Sequence, residues 1–130
     1  FEITHLSHRE YRGLSGGERQ RARLASLMAQ DPKIFLWDEP LENLDYSGQM
    51  RFLSWISEIV RTKNKASMMV IHDINLASRF FTHTLMVFKD GSYLSGACKE
   101  IMTRENLSGL YQTKFDQVLH DDGKLFVPSR

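Results

Sequence analysis

Three short apolar runs, "IFLWD" at 34–38, "SMMVI" at 67–71 and "TLMVF" at 84–88, recur along the chain with helical patterns between them. The first is apolar without alternation, the signature of a strand covered on both faces in a parallel sheet, and the second reads as a buried strand too. Pro40 forbids continuation of the first. Residues 46–62 place Met50, Leu53, Ile56, Ile59 and Val60 three and four apart, with Arg51, Glu58 and Arg61 outside, which predicts an amphipathic helix. Residues 74–82 also read as helical, and "CKEIMTRENLSGLY" as two short helices. Lys89-Asp90-Gly91 marks a hairpin turn into "SYLSG", and Asp121-Asp122-Gly123 marks another between "KFDQVLH" and "KLFVP". Strand, helix, strand, helix, strand and then antiparallel additions make an α/β layered domain.

At 130 residues and 42% hydrophobic the chain is long enough for one core, and a net charge of +1 gives no sign of a nucleic-acid tail. The single Cys98 excludes an internal disulfide, fits a reducing compartment and reads as a half-buried small side chain. No apolar run approaches the roughly 20 residues of a membrane span, and the amino end does not resemble a signal peptide. The chain begins with Phe1, so a longer parent polypeptide is expected.

The segment "GLSGGERQRARLASL" at 13–27 joins two opposing signals. Ser15 and Glu18 form a capping box that starts a helix, with Ala22, Leu24, Ala25, Met28 and Ala29 on its apolar face and "QDPK" at its end. Gly16 and Gly17 then fall in the first turn, where each costs about 1 kcal/mol relative to alanine. A helix N-terminus presents unpaired N–H groups to an anion, and glycine removes the side chains that would hold a phosphate away.

Carboxylates follow the first apolar run as Asp38-Glu39-Pro40, at the carboxyl end of a strand, where open parallel sheets bind ligands. Successive side chains diverge there, so the two acids take different tasks. One division gives Asp38 a Mg²⁺ ion, held through water, and gives Glu39 a water molecule to orient or deprotonate; the plain alternative is a carboxylate pair capping the next helix. His72-Asp73 ends the second run in the same way. His72 is either an ordinary satisfied side chain or a contact to a terminal phosphate or the attacking water. Asp45 in "LENLD" is a helix N-cap, a role compatible with a further one.

Together these segments resemble the ATP-binding-cassette ATPases. "LSGGERQR" at 14–21 is similar to the signature motif, "IFLWDEP" at 34–40 to the Walker B strand with its catalytic glutamate, "LENLD" at 41–45 to the D-loop, and "VIHD" at 70–73 to the switch-histidine loop. The resemblance implies a partial P-loop NTPase-like parallel-sheet core, with C-terminal β-hairpins and short helices. It divides the chain into the end of a helical subdomain at 1–30, a catalytic core at 31–98 and C-terminal helices with a hairpin at 99–130. It implies that Ser15, Gly16, Gly17 and Glu18 meet the ATP of the opposite subunit, that Asp38 belongs to the Mg²⁺ shell, that Glu39 and His72 are catalytic and that Asp45 lies at the dimer interface.

No G-x-x-x-x-G-K followed by Ser or Thr occurs; Gly123-Lys124 is followed by Leu125 and lacks the upstream glycine. The chain therefore resembles the carboxyl half of a cassette, expected to bind ATP negligibly by itself. The tail, with Glu100, Thr103, Glu105, Asn106, Leu107 and Tyr111, resembles importer ATPases for iron chelates, haem and cobalamin, although Arg104 stands where proline is usual. That resemblance implies a homodimer of nucleotide-binding domains and transmembrane permease subunits. It also implies a substrate-binding protein acting indirectly, no nucleic acid, and a peripheral place on the cytoplasmic face of the membrane. Leu41, Glu42 and Trp37 depart from the usual pattern, and Trp37 should be a buried strand residue whose indole N–H needs a partner. Two alternatives are the carboxyl lobe of a chromosome-maintenance ATPase, against which the lack of heptads in residues 1–13 speaks, and a truncated non-catalytic cassette.

Overall fold

In the computed structural model, which describes residues 3–42, 44–120 and 123–129, the capping box opens helix α1 (Gly16–Ala29) at Ser15 as expected. The chain divides into two units, Phe1–Val70 and Ile71–Arg130.

The first unit holds α1, strand β1 (Ile34–Trp37), helix α2 (Tyr46–Thr62) and strand β2 (Ala66–Met69), preceded by two unforeseen 3-10 turns at Thr4–Leu6 and Tyr11–Gly13. α2 spans the stretch its periodicity predicts and buries Leu53, Ile56 and Ile59. It also buries Phe52, whose ring meets Trp37 edge-on at 5.3 Å. Trp37 stacks on Phe35 at 5.6 Å and donates its indole N–H to Ser67 Oγ at 3.0 Å, which supplies the partner the sequence requires. Lys65, just before β2, donates to Asp31 Oδ1 and to the Pro32 carbonyl, both at 2.6 Å, tying the approach to one strand to the approach to the other.

β1 and β2 pair in parallel, Ile34 opposite Ala66 and Trp37 opposite Met69. Their burial corrects the expectation of strands covered on both faces. Phe35 and Trp37 are buried, but Ile34 is 61% exposed, Leu36 72%, Met68 66% and Val70 49%. β2 likewise alternates exposed and half-buried residues.

The second unit runs through helix α3 (Ile74–Phe80), strands β3 (His83–Val87) and β4 (Tyr93–Ala97), helices α4 (Cys98–Ile101) and α5 (Arg104–Tyr111), and strands β5 (Phe115–His120) and β6 (Gly123–Pro128). The two hairpins and two short helices are those the turn residues announce. Gly91 takes φ +83° in the β3–β4 turn, where Asp90 Oδ1 accepts from the Ser92 amide at 2.9 Å. Gly123 takes φ +127° at the start of β6; Asp121 and Asp122 lie outside the described residues. Met86, Cys98, Met102, Leu107, Phe115 and Phe126 form the core of this unit. Cys98 is buried more fully than expected, and loss of hydration pushes its thiol pKa up.

Candidate functional site

The start of α1 is built by reciprocal hydrogen bonds. The Ser15 amide donates to Glu18 Oε2 at 2.7 Å, and the Glu18 amide donates to Ser15 Oγ at 3.3 Å. Arg9 Nη1 pairs with Glu18 Oε1 at 3.3 Å. The Ser15 amide above all, then the Ser15 hydroxyl and the charges of Arg9 and Arg21, hold the Glu18 carboxyl below its usual range. Glu18 is thereby occupied in making the turn. A Cβ on Gly16 would meet nothing within 4 Å, and one on Gly17 would meet only Arg21 Nη1 at 3.8 Å. Packing among the described residues thus gives no reason for glycine at either position, and the first turn of α1 is left open to solvent.

β1 delivers Asp38 exposed and Glu39 half-buried. Glu39 has φ +45°, in the left-handed region that costs a non-glycine residue about 1–3 kcal/mol. The turn that follows is braced: the Glu42 amide donates to the Glu39 carbonyl at 3.2 Å, and Pro40 and Leu41 are buried. Gln20 of α1 donates its side-chain amide to the Pro40 carbonyl at 3.1 Å. Gln49 of α2 donates to the carbonyls of Leu41 and Leu44, both at 3.3 Å. Asp45 caps α2, accepting from the Gly48 amide at 2.8 Å, and a Cβ on residue 48 would lie 2.8 Å from that same carboxylate oxygen. Asp45 thus has the capping role, and Gly48 permits it. Asn43 lies outside the described residues.

The Ser15-Gly16-Gly17-Glu18 turn, the Asp38-Glu39 pair and Asp45 therefore all belong to the first unit. His72 belongs to the second unit, where it is exposed. Its backbone is fixed from both sides of the sequence. Tyr111 donates its hydroxyl to the His72 carbonyl at 3.3 Å, and Asp73 caps α3 by accepting from the amides of Asn75 and Leu76 at 2.8 and 2.9 Å. Burial first, and the Asp73 charge second, push the Tyr111 hydroxyl pKa up, so it remains a donor.

Gln20 and Gln49 escaped the sequence reading. A signal for both was present: each stands four residues before a leucine that the helix buries, Leu24 and Leu53, and so on the inward side of its helix.

The family described as "ABC transporter" matches residues 1–42. The ferric enterobactin transport ATP-binding protein FepC of Escherichia coli is 42% identical over 110 residues, covering 84% of this chain and 40% of that protein. The chain belongs to the ATP-binding-cassette (ABC) transporter ATPase family. The hemin import ATP-binding protein HmuV of Bordetella avium is 31% identical to this ABC chain over 137 residues, covering 98% of the chain and 52% of HmuV. A solved structure described as an inward-facing metal-chelate type ABC transporter superposes with a TM-score of 0.86 at 30% identity, over 99% of this chain and 53% of that one. The chain thus spans about half the length of the curated relatives it matches, and its α/β architecture is that of part of an ABC ATPase domain.

Proposed function

We propose that the full-length protein containing this chain is the ATP-hydrolysing subunit of an ABC importer, energising uptake of a metal chelate (an iron–siderophore complex, haem or cobalamin) through a membrane permease. The observation that carries this reading is the 42% identity, across 84% of the chain, to a ferric enterobactin transport ATP-binding protein. The open glycine turn of α1 and the carboxylates after β1, held in one unit, support it.

The residues present fit the ligands of such an enzyme. The first turn of α1 offers N–H groups and the positive end of the helix dipole without side chains in the way, which suits a γ-phosphate. Among the described residues no three His, Cys, Asp or Glu are grouped to hold a metal, so Asp38 would contribute one carboxylate, with water and phosphate oxygens completing the shell. Mg²⁺ is commonly held in that way beside phosphates, and when bound it neutralises charge on the transferred phosphoryl group.

In this mechanism Ser15, Gly16, Gly17 and Glu18 close on the ATP carried by the opposite subunit of a homodimer. Glu39 orients or deprotonates the attacking water, and His72 meets the γ-phosphate region. Asp45 lies at the dimer interface while it caps α2. Closure around two ATP molecules turns the permease, and hydrolysis reopens it. The P-loop comes from the amino half of the parent, so these 130 residues alone bind ATP negligibly; the uncovered face of β1 and β2 supports a missing layer. The subunit lies peripherally on the cytoplasmic face of the membrane, against the permease; no helix among the described residues is long and apolar enough to cross a membrane. A substrate-binding protein acts through the permease, and nucleic acid has no part.

The test uses the full-length protein. With ATP and Mg²⁺, Glu39→Gln should run as a stable dimer in light scattering, and Ser15→Arg should lose turnover yet keep nucleotide binding by the monomer. A Glu39→Gln protein that stays monomeric, or a Ser15→Arg protein that loses binding and turnover alike, would count against the assignment.

A further inference from the structure

We infer that Gln20 and Gln49 are positioning residues for Glu39: two side-chain amides, one from each flanking helix, that hold the turn after β1 in the strained shape which aims the carboxylate. The inference rests on the ATPase reading above and assigns neither glutamine a contact with nucleotide.

Glu39 adopts φ +45°, and such a conformation persists only where its surroundings over-determine it. The strand ladder ends just before it, since the Trp37 carbonyl is the last of β1 to be taken by the neighbouring segment, from the Val70 amide at 3.0 Å. The carbonyls of Pro40, Leu41 and Leu44 lie beyond the reach of that ladder. Gln20 takes the first at 3.1 Å, and Gln49 takes the other two at 3.3 Å each. Both contacts are partly buried, where an unmet carbonyl is costly. Two backbone bonds close the turn from within, Glu42 to Glu39 at 3.2 Å and Leu44 to Leu41 at 3.3 Å.

The placement of Gln20 adds a second consequence. It lies one helical turn beyond Gly16 on α1, so the open glycine turn and the Glu39 turn are joined through a single side chain. A ligand that moves the start of α1 therefore pulls on the Pro40 carbonyl, one peptide from Glu39. Gln49 anchors the same turn to the start of α2, beside the Asp45 cap.

The test compares Gln20→Met, which keeps the shape and removes the donor, with Gln20→Lys, which keeps a donor. Both are made in the full-length protein, alongside Glu39→Gln. Gln20→Met should lower kcat about tenfold, equivalent to roughly 1.4 kcal/mol of barrier, with KM for ATP within about twofold. Gln20→Lys should keep at least half of the wild-type kcat. Amide exchange at Glu42 and Leu44 should quicken by about tenfold in Gln20→Met, with the interior of α1 unchanged. An active wild type whose Gln20→Met variant keeps its kcat, or whose Gln20→Lys variant falls as far as Gln20→Met, overturns the positioning role alone. A wild type that does not hydrolyse ATP, or a Glu39→Gln variant that turns over normally, overturns the ATPase reading and the role with it.

Discussion

Asn75 and Phe126 exchange two hydrogen bonds across 51 residues of sequence: the Asn75 side-chain amide donates to the Phe126 carbonyl at 3.1 Å, and the Phe126 amide donates to Asn75 Oδ1 at 2.8 Å. One side chain thus completes both backbone groups of a residue in β6 while standing in the first turn of α3, three positions after His72. Asn75→Ala leaves both groups unmet beside a buried ring and should destabilise the second unit by about 1–3 kcal/mol. Asn75→Asp keeps the acceptor but turns a carboxylate oxygen toward the Phe126 carbonyl, and should lose at least as much. Urea unfolding followed by circular dichroism reads both, and equal midpoints for Asn75→Ala and wild type would refute the pairing.

Trp37 gives the first unit a comparable probe. Ser67→Ala removes the acceptor of a buried indole N–H, at a cost of about 1–3 kcal/mol. Ser67→Thr retains an oxygen at the same branch point and should sit between alanine and wild type. The change is read by tryptophan emission during thermal unfolding, with Trp55→Phe as background so that only Trp37 reports.

The backbone at Glu39 sets a stability trade. Glu39→Gly and Glu39→Ala both delete the carboxylate, but only glycine adopts positive φ without a Cβ penalty. The glycine variant should therefore be the more stable of the two by about 1 kcal/mol, although glycine is ordinarily the worse choice. The reverse order would mean that this turn relaxes when the side chain is removed.

Acidification should loosen the start of α1. The Glu18 pKa is lowered in the folded chain, so its contribution is intact above the ordinary value of 4.5 and is lost as the pH falls through the lowered folded value. The Ser15 amide signal should follow the Glu18 carboxyl in a nuclear magnetic resonance titration and show a midpoint below 4.5. Glu18→Gln should keep the cap but abolish that titration. A midpoint at or above 4.5 would contradict the reciprocal cap.

Local chemistry was legible in residues 15–18, 46–62 and 90–91, because a capping box, a 3.6-residue stripe and an Asp-Gly turn each depend on neighbours in sequence. The faces of β1 and β2 were not. Apolar residues on both sides of a strand say what the strand requires, not which element meets it, and here the side carrying Ile34 and Leu36 is left largely exposed. The left-handed turn at Glu39 was hidden for a related reason. Glutamate has no preference for that conformation; it is imposed by carbonyls held from α1 and α2, and Gln20 and Pro40 are 20 positions apart. The chemical classes at the site, a glycine turn and paired carboxylates, could be read from residue types, whereas the groups that hold them in place could not.

Ile34, Leu36 and Met68 lie exposed on a two-stranded sheet with Val70 just past its end, a combination that favours sticking to other chains. Expressed on its own, this polypeptide should precipitate or be retained by holdase chaperones at concentrations where the full-length protein stays dispersed. Changing Leu36 and Met68 to lysine should restore its solubility while barring assembly with a complementary half supplied in trans. Colloidal behaviour would then report directly on whether the other layer of the sheet is in place.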